Sequence, residues 1–274
     1  LSDLSLDGMN IDKRLSLREW TIDAAAVLIF LERPEYSVLR SLDLSDAHLD
    51  GAELGGVLRS AWHSKGLEEL RIDGALGIQH QVCVGMPNLI CLSARGVGWN
   101  TLHVPETVRR LDIRQNPLEE GNIVLPMRLE ALAIDTSVVA MAERIDLKEV
   151  YCTELHFTHL PEGLYHLSCT SVVGEVNWEG QQALCSLQIP DDVGLPRSPS
   201  LQRLSIVGGS WDRERIEGVL ALYPSLRSFC VSGGDVTEDI LLSLGGLEEV
   251  GIINCDVHNI AIPDNCSWKK LDVS

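Results

Sequence analysis

Apolar residues recur along the chain in a short pattern, apolar-x-x-apolar-x-apolar, which aligns thirteen times. Successive side chains of a β-strand point to opposite faces, so each copy predicts a short strand with one buried and one solvent-facing side. Successive copies begin 17 to 38 residues apart, and the longest interval holds a degenerate further triplet around Leu15. The thirteen triplets start at Leu1, Leu39, Leu67, Leu89, Val108, Leu129, Leu147, Leu164, Leu184, Leu201, Leu226, Leu247 and Trp268.

One strand of this kind cannot bury its leucines, whereas stacked strands bury them in a continuous strip. The regular spacing therefore predicts a single solenoid domain over residues 1–274. Terminal repeats need polar caps, and neither end of the sequence carries one. We therefore expect this chain to be a segment of a longer protein, with its ends covered by missing caps or neighbouring subunits.

The triplets and their spacing resemble the LxxLxLxxN consensus of the leucine-rich-repeat superfamily over nearly the whole chain. The resemblance implies an α/β fold, a right-handed leucine-rich-repeat solenoid (horseshoe) of about 13 rungs with a parallel sheet on its concave face. It also implies protein recognition on that face. The asparagine of the consensus survives only as Asn116, so an asparagine ladder cannot be the main stabilising feature. The same column elsewhere holds Ala47, Ala75, Ser137, Gly209, Gly234 and Cys255.

The segments that return from one strand to the next are of two kinds. The longer, helix-backed repeats of 25–28 residues carry apolar residues at helical spacing, in residues 50–66 and after Asp212. Similar spacing follows Asp23 and Thr237, in intervals of 38 and 21 residues. Asp212 and Thr237 are good N-cap types, and Gly66 and Gly245 suit helix C-termini. We expect these helices on the convex side, mainly near both ends.

The middle rungs, whose repeats are 17–22 residues long, are too short for a helix and carry prolines in their returns. Pro105-Glu106-Thr107-Val108 and Pro161-Glu162-Gly163-Leu164 resemble the LP-x-x-L rungs of short-repeat proteins, including some bacterial effectors. Extended backbone suits proline at these positions. The mixture of the two repeat lengths favours no single leucine-rich-repeat subfamily.

Composition limits the class of partner. The chain has 22 basic and 40 acidic residues and a formal net charge of −18. Such a charge disfavours direct binding to nucleic acid, whose affinity comes from Lys and Arg on phosphates. The longest apolar run, residues 24–31, is too short to cross a bilayer. We expect another protein as partner and no membrane insertion.

Eight cysteines are scattered singly along the chain, with no CxxC pair. Extracellular repeat proteins usually cluster cysteines at their ends, whereas scattered thiols fit a reducing compartment. No signal peptide is present at the start of the sequence. These observations favour an intracellular, cytoplasmic or nuclear, location.

The solvent-facing strand positions are the candidate binding residues. Arginines on neighbouring rungs, flanked by Glu69, Asp73, Asp112 and Asp135, indicate either a site for a carboxylate-rich peptide or a ladder of cross-strand ion pairs within the chain. Toward the C-terminus the same columns become small or apolar, through Ser205, Ser228 and Gly251. That change suggests either a contact surface or residues that lie under a further segment. The candidate residues are Arg71, Arg95, Arg110, Arg114, Tyr151, Arg203, Val207, Cys230 and Ile253.

Metal and catalytic sites are not expected. Cys152, His156, His159, His166 and Cys169 have the side-chain types of a zinc site. However, both cysteines occupy the third apolar position of their rungs, which points them into the core, and His166 lies on the opposite side of its strand. The sequence has no GxSxG elbow and no GxxxxGK phosphate loop, so we predict no catalytic residue, no metal and no cofactor.

These observations predict a non-catalytic scaffold for protein–protein interaction that uses its concave face, within a larger intracellular assembly. Two alternatives remain open at this stage. The first is the substrate-recognition domain of a ubiquitin ligase or effector whose active domain lies outside this segment. The second is a cell-surface antigen or receptor ectodomain.

Overall fold

The computed structural model describes residues 14–19, 39–47, 55, 57–58, 66–75, 83, 85–119, 122–136, 147–156, 160–257 and 266–273. The chain forms two compact units, Leu1–Asp146 and Leu147–Ser274. Each unit is described by itself.

Within its described residues, unit 1 has six parallel strands that come from six successive rungs. They are β1 (Arg14–Ser16), β2 (Ser41–Asp43), β3 (Glu69–Arg71), β4 (Cys91–Ser93), β6 (Arg110–Asp112) and β8 (Ala131–Thr136), hydrogen-bonded in that order. The register places the central apolar residue of each strand beside that of the next, as in Leu70 beside Leu92. This alignment makes a continuous buried row.

Within its described residues, unit 2 has seven strands in one parallel sheet. They are β9 (Glu149–Leu155), β10 (His166–Ser168), β12 (Ser186–Pro190), β13 (Arg203–Val207), β14 (Ser228–Ser232), β16 (Glu249–Ile253) and β18 (Lys270–Val273). A short strand, β11 (Ser171–Val172), also pairs with the end of β9. The two-stranded pair β15 (Asp235–Val236) and β17 (Asp256–Val257) lies outside this sheet.

The buried side of each sheet is the side that the triplets predicted. Leu42, Leu70 and Leu132 of unit 1 and Val150 and Leu167 of unit 2 are fully buried. Each fully buried aliphatic side chain contributes about 1.5–3 kcal/mol, so three of them in a rung offset the cost of ordering the backbone of its short strand, about 1–2 kcal/mol per residue. The strands alternate buried and partly exposed residues, as in β13 and β14.

The fold class predicted from the sequence is therefore confirmed as a parallel-sheet solenoid. The rung count differs from the thirteen aligned triplets, because the degenerate triplet expected in the 38-residue interval is confirmed as a rung. The degenerate triplet at Leu15 forms a proper strand that pairs with β2, and Leu15 is buried. The triplet at Leu1 lies outside the described residues, and the single domain over residues 1–274 stays a prediction.

Two predicted helices are confirmed in unit 2. Helix α1 (Arg213–Leu222) begins at Asp212, whose carboxylate accepts the Arg215 N–H at 2.8 Å. Helix α2 (Glu238–Ser243) begins at Thr237, but the threonine side chain makes no capping hydrogen bond. Gly245 follows the C-cap Leu244 of α2, as expected.

Fewer residues of the helices predicted in unit 1 lie in the described part of the chain. Gly55, Val57 and Leu58 are helical, and both Val57 and Leu58 are fully buried, in agreement with the predicted helix over residues 50–66. Gly66 lies in a turn. The helix predicted after Asp23 lies outside the described residues.

The proline-bearing returns are extended, as predicted. In unit 1, β5 (Leu102–His103) and β7 (Ile123–Val124) precede Pro105 and Pro126 and pair with each other in parallel. This second short pair was not predicted, because a two-residue strand leaves no periodic signal. It links the backs of two neighbouring rungs by backbone hydrogen bonds, such as Leu102 N–H to Asn122 O at 2.8 Å.

In most rungs another residue takes the place of the consensus asparagine, as the sequence indicated. The Asn116 amide donates to the carbonyls of Ala94 at 2.7 Å and Ile113 at 2.9 Å, and its oxygen accepts Trp99 N–H at 3.0 Å. In the same column of unit 2, the Cys255 thiol lies 3.3 Å from each of the carbonyls of Gly233 and Ile253. The thiol thus takes the place of the amide with weaker bonds.

Candidate binding surface

The solvent-facing side of each sheet, here called the open face, carries the first and third residues of every three-residue strand. In unit 1 these residues are half-buried or exposed on both sides of a buried leucine, as in Glu69-Leu70-Arg71. All of the candidate binding residues described below lie on or beside the open face of their unit.

The arginines of unit 1 bind carboxylates of the chain itself. Arg71 donates two hydrogen bonds to Glu69, at 2.8 and 3.0 Å, and Glu69 also accepts the Ser41 hydroxyl at 3.0 Å. Arg114 grips Asp112 through both carboxylate oxygens, at 2.7 and 3.0 Å. Both pairs lie within one rung, on residues two apart, rather than across strands as the ladder model predicted.

Among Arg71, Arg95 and Arg114, Arg95 is the one that pairs with a carboxylate of another rung, as the ladder predicted. Its guanidinium donates to Asp73 at 2.8 and 3.0 Å, and its backbone N–H donates to the other oxygen at 2.9 Å. The Ser93 hydroxyl adds a bond of 2.7 Å to Asp73. Arg95 also lies 3.7 Å from Asp112, so these groups form a connected network.

Hydrogen bonding fixes the charge state of this network. Burial alone would raise the pKa of Asp73, but the hydrogen bonds from Arg95 and Ser93 outweigh it and hold that pKa below its ordinary value. The pKa of Glu69 is lowered in the same way, against its burial, by Arg71 and Ser41. Bonds to Asp73 and Asp112 raise the pKa of Arg95 and Arg114. The network is a set of fixed ion pairs at neutral pH.

Two members of the predicted patch behave differently. Arg110 is the first residue of β6, beside Cys91 and Ala131, and makes no ion pair within the part of the chain that the structure describes. Asp135 accepts a hydrogen bond from the backbone N–H of Gln115. The ion-pair model thus accounts for three of the four arginines, and the binding role of the patch stays a prediction.

The small and apolar columns of unit 2 are adjacent, as predicted. Cys230 lies beside Ser205 on one strand and Gly251 on the next. A side chain at Gly251 would come within 2.7 Å of the Cys230 sulfur, so the thiol covers the glycine and needs its small size. Burial raises the pKa of Cys230, which keeps the thiol protonated.

Val207 and Ile253 form a second row at the far ends of their strands. Val207 lies beside Ser232 on β14, and Ser232 lies beside Ile253 on β16. Val207 and Ile253 are both half-buried. The row is therefore flat and mixed rather than a wide apolar patch.

Tyr151 and Arg203, the two remaining candidates, line one depression on the open face of unit 2. Its volume is about 240 Å³. The residues that line it come from four successive rungs and are Glu149, Tyr151, Tyr165, His166, Cys185, Ser186, Gln202 and Arg203. Tyr165 stands at its rim with 52% of its surface exposed.

Backbone hydrogen bonds hold the lining in place. The N–H groups of Tyr165 and His166 both donate to the Lys148 carbonyl, at 2.7 and 2.9 Å. Those of Cys185 and Ser186 donate to the Tyr165 carbonyl, at 2.9 and 3.1 Å. The next rung repeats this arrangement on the Cys185 carbonyl, so the depression has a rigid floor.

His166 forms one wall of this depression. Its ring lies 4.6 Å from that of Tyr151, centroid to centroid, at an angle of 35°. Its Nε2 atom is buried and has no hydrogen-bond partner among the described residues. Burial lowers the pKa of His166, the charge of Arg203 lowers it further, and Glu149 opposes both. The imidazole is thus neutral at pH 7 and lies within the field of both charged groups.

Reasoning from the sequence missed six of these eight residues as binding candidates. His166 was considered only as a metal ligand, and Glu149, Tyr165, Cys185, Ser186 and Gln202 were not considered. Except for Tyr151, the lining comes from the two polar positions between the first and second apolar residues of each triplet. Reading that dipeptide column across the rungs would have shown Tyr165 as its one aromatic residue.

The proposed zinc ligands do not converge. Cys152 and Cys169 are buried in the core, as predicted, and burial raises the pKa of each thiol to about 12. His156 instead contacts Glu154, and His159 lies outside the described residues. Among the described residues, no group of three or more His, Cys, Asp or Glu side chains could hold a metal ion.

No helix in the described part of the chain is long and apolar enough to span a bilayer. No family model matches the chain, and no curated protein sequence matches it.

Solved structures that are similar to it include the following two. One is the TLR13–ssRNA13 complex, with 13% identity and a TM-score of 0.41, covering 86% of this chain and 53% of that chain. The other is the plant peptide hormone receptor RGFR1 in complex with RGF2, with 13% identity and a TM-score of 0.40, covering 89% and 48%. This chain spans about half the length of each.

The fold itself rests on the chain's own features. The triplets recur with the period of leucine-rich repeats, their apolar members are buried, and their strands pair in parallel with aligned register in both units. Each unit of this chain is a parallel-sheet solenoid whose repeats resemble leucine-rich repeats.

Proposed function

We propose that this chain is a non-catalytic scaffold that binds another protein on the open face of unit 2, within a larger intracellular assembly. The observation that carries the proposal is the depression around Tyr151 and Arg203, where an exposed guanidinium and an exposed tyrosine stand on a rigid floor. Tyr and Arg are the residue types most enriched at the centres of protein interfaces. The open face of unit 1, by contrast, has most of its arginines bound to its own carboxylates.

The intracellular part of the proposal is supported by the cysteines. None of the eight is part of a disulfide bond, and Cys83, Cys152 and Cys169 are buried, each with its pKa raised by burial to about 12. Thiol titration of denatured, unreduced protein from its native source should find close to eight reactive groups. Fewer than two would favour the alternative of a cell-surface antigen or receptor ectodomain.

Blocking the open face tests the binding role. We would introduce tryptophan at Ser168 and Gln188, which lie side by side on β10 and β12. The matched control places tryptophan at Glu214 and Glu217, two exposed positions of helix α1. Affinity purification from the native source, with quantitative mass spectrometry, should identify a partner retained by the control and lost by the face variant.

Both variants should first give the circular-dichroism melt of the wild type, so that a lost partner reflects the surface and not unfolding. A partner lost equally from both variants would place binding elsewhere. A partner that keeps its affinity for the face variant would refute the proposal. Finding the chain joined to an F-box or a catalytic-cysteine domain in the full-length protein would favour the ligase alternative.

A further inference from the structure

We infer that the depression of unit 2 takes the carboxylate of an Asp or Glu side chain of the partner protein, held on the guanidinium of Arg203. The inference rests on the proposed function and names the chemical group that this surface recognises. It follows from which arginines already have carboxylate partners.

Arg203 differs from the paired arginines in its local sequence. Arg71 and Arg114 each follow a carboxylate two residues earlier, and that residue binds them. Two residues before Arg203 is Leu201, which is buried, and two residues after it is Ser205. Its neighbours in register on the adjacent strands are Ser186 and Ser228, both uncharged.

The result is a cation without an ion pair, as far as the described residues extend. Its guanidinium can offer two parallel N–H groups to a carboxylate, the geometry in which Arg binds most strongly. Ser186 and Gln202, which line the same depression, add a hydroxyl and an amide as further donors. The exposed ring of Tyr165 can cover the methylene groups of an acidic side chain.

Glu149 is the one carboxylate in the lining, and it does not prevent this binding. It lies three strands from Arg203 along the row Glu149, His166, Ser186, Arg203. At about 4.8 Å per strand the two backbones are about 14 Å apart, which exceeds the screening length of about 8 Å in physiological salt. The Tyr151 hydroxyl also donates to Glu149, at 3.4 Å.

His166 provides a reporter inside the depression. Its pKa already responds to Arg203 on one side and Glu149 on the other, and Tyr151 packs on its ring. An anion bound beside Arg203 must raise this pKa, because it stabilises the imidazolium. A cation, or a neutral molecule that displaces water, must lower it. The sign of the change therefore identifies the charge of the ligand.

The experiment follows the His166 ring signals by NMR during pH titrations of the intact chain, with the signals assigned from a His166→Gln variant. The probes are N-acetyl-glutamate α-amide and its neutral isostere, N-acetyl-glutamine α-amide. We expect the glutamate probe to raise the pKa of His166 and the glutamine probe not to raise it. Arg203→Gln should weaken binding of the glutamate probe about tenfold or more, since a charged hydrogen bond is lost.

The control variant is Arg213→Gln, which removes an exposed arginine of helix α1 and should leave the response unchanged. Equal responses to both probes, or an unchanged response in Arg203→Gln, would overturn the inference. So would a response to inorganic phosphate alone. If the glutamate probe does not bind in the depression but the variant with tryptophan at Ser168 and Gln188 still loses its partner, the inference fails and the scaffold function stands.

Discussion

Replacing Asn116 with alanine should destabilise unit 1 by about 3 kcal/mol. The amide has two protons and lies within bonding distance of three carbonyls, those of Ala94 at 2.7 Å, Ile113 at 2.9 Å and Arg114 at 3.3 Å. Its oxygen accepts the Trp99 N–H at 3.0 Å. Two donated bonds and one accepted bond, at about 1 kcal/mol each, give the estimate.

A second asparagine of unit 1 supplies the matched control. Asn122 is exposed, and its amide makes one hydrogen bond, of 3.2 Å, to the Glu119 carboxylate. Asn122→Ala should therefore change stability by less than about 0.5 kcal/mol.

Urea unfolding followed by tryptophan fluorescence measures the difference between the two variants, because Trp99 is buried beside Asn116. Hydrogen exchange of the peptides around residue 99 shows whether the loss is local. Equal stability of Asn116→Ala and Asn122→Ala would show that the single remaining consensus asparagine holds no rung together, and the reasoning would be refuted.

Three further substitutions test other parts of the fold. Asp73→Asn should cost about 2 kcal/mol at pH 7, by urea unfolding. The folded pKa of Asp73 is lowered, so the stability difference between Asp73→Asn and the wild type should vanish as the pH falls through 3.8 and below. A stability difference that stays constant with pH would contradict this. The pKa of His166 is also lowered, so its contribution to stability is full above pH 6.5 and is lost below it. His166→Phe should therefore lose less Tm than the wild type on acidification from about pH 7.5 to 5.5, and parallel curves would count against it. Gly209 has φ +87° and lies against the Asp191 carboxylate, so Gly209→Ala should destabilise the fold by more than about 1 kcal/mol. Gly218 lies in helix α1 with open space around it, so Gly218→Ala should stabilise the fold by a similar amount. Urea unfolding must give changes of opposite sign in the free energy of unfolding.

The strands and their register could be predicted from the sequence because burial enforces them. A slip of one residue would move Leu70 or Leu167 from the core to water, so the apolar triplets permit only one register between neighbouring strands. The cap at Asp212 was equally readable, since an aspartate before an amphipathic segment has a specific local role. Each of these features can be recognised within a short stretch of the sequence.

The partners of the charged residues could not be predicted with the same certainty. Nothing in the pattern around Arg95 shows that it binds Asp73 of the preceding rung, because the contact depends on how two turns stack. The depression was missed for a related reason. Tyr165 and Gln202 lie at positions for which the repeat demands only a polar residue, and their proximity arises from the pairing of β10, β12 and β13.

The return segments and the open face are separated by the buried strip, and this has a consequence for change over time. Strands β12 and β13 are joined without a helix, whereas β13 and β14 are joined through α1, yet both pairs keep the same in-register hydrogen bonding. A return can therefore lengthen, shorten or acquire a new sequence while the spacing of the open-face residues is preserved. Evolution and protein engineers alike are free to remodel the return segments of this molecule without redesigning its open face.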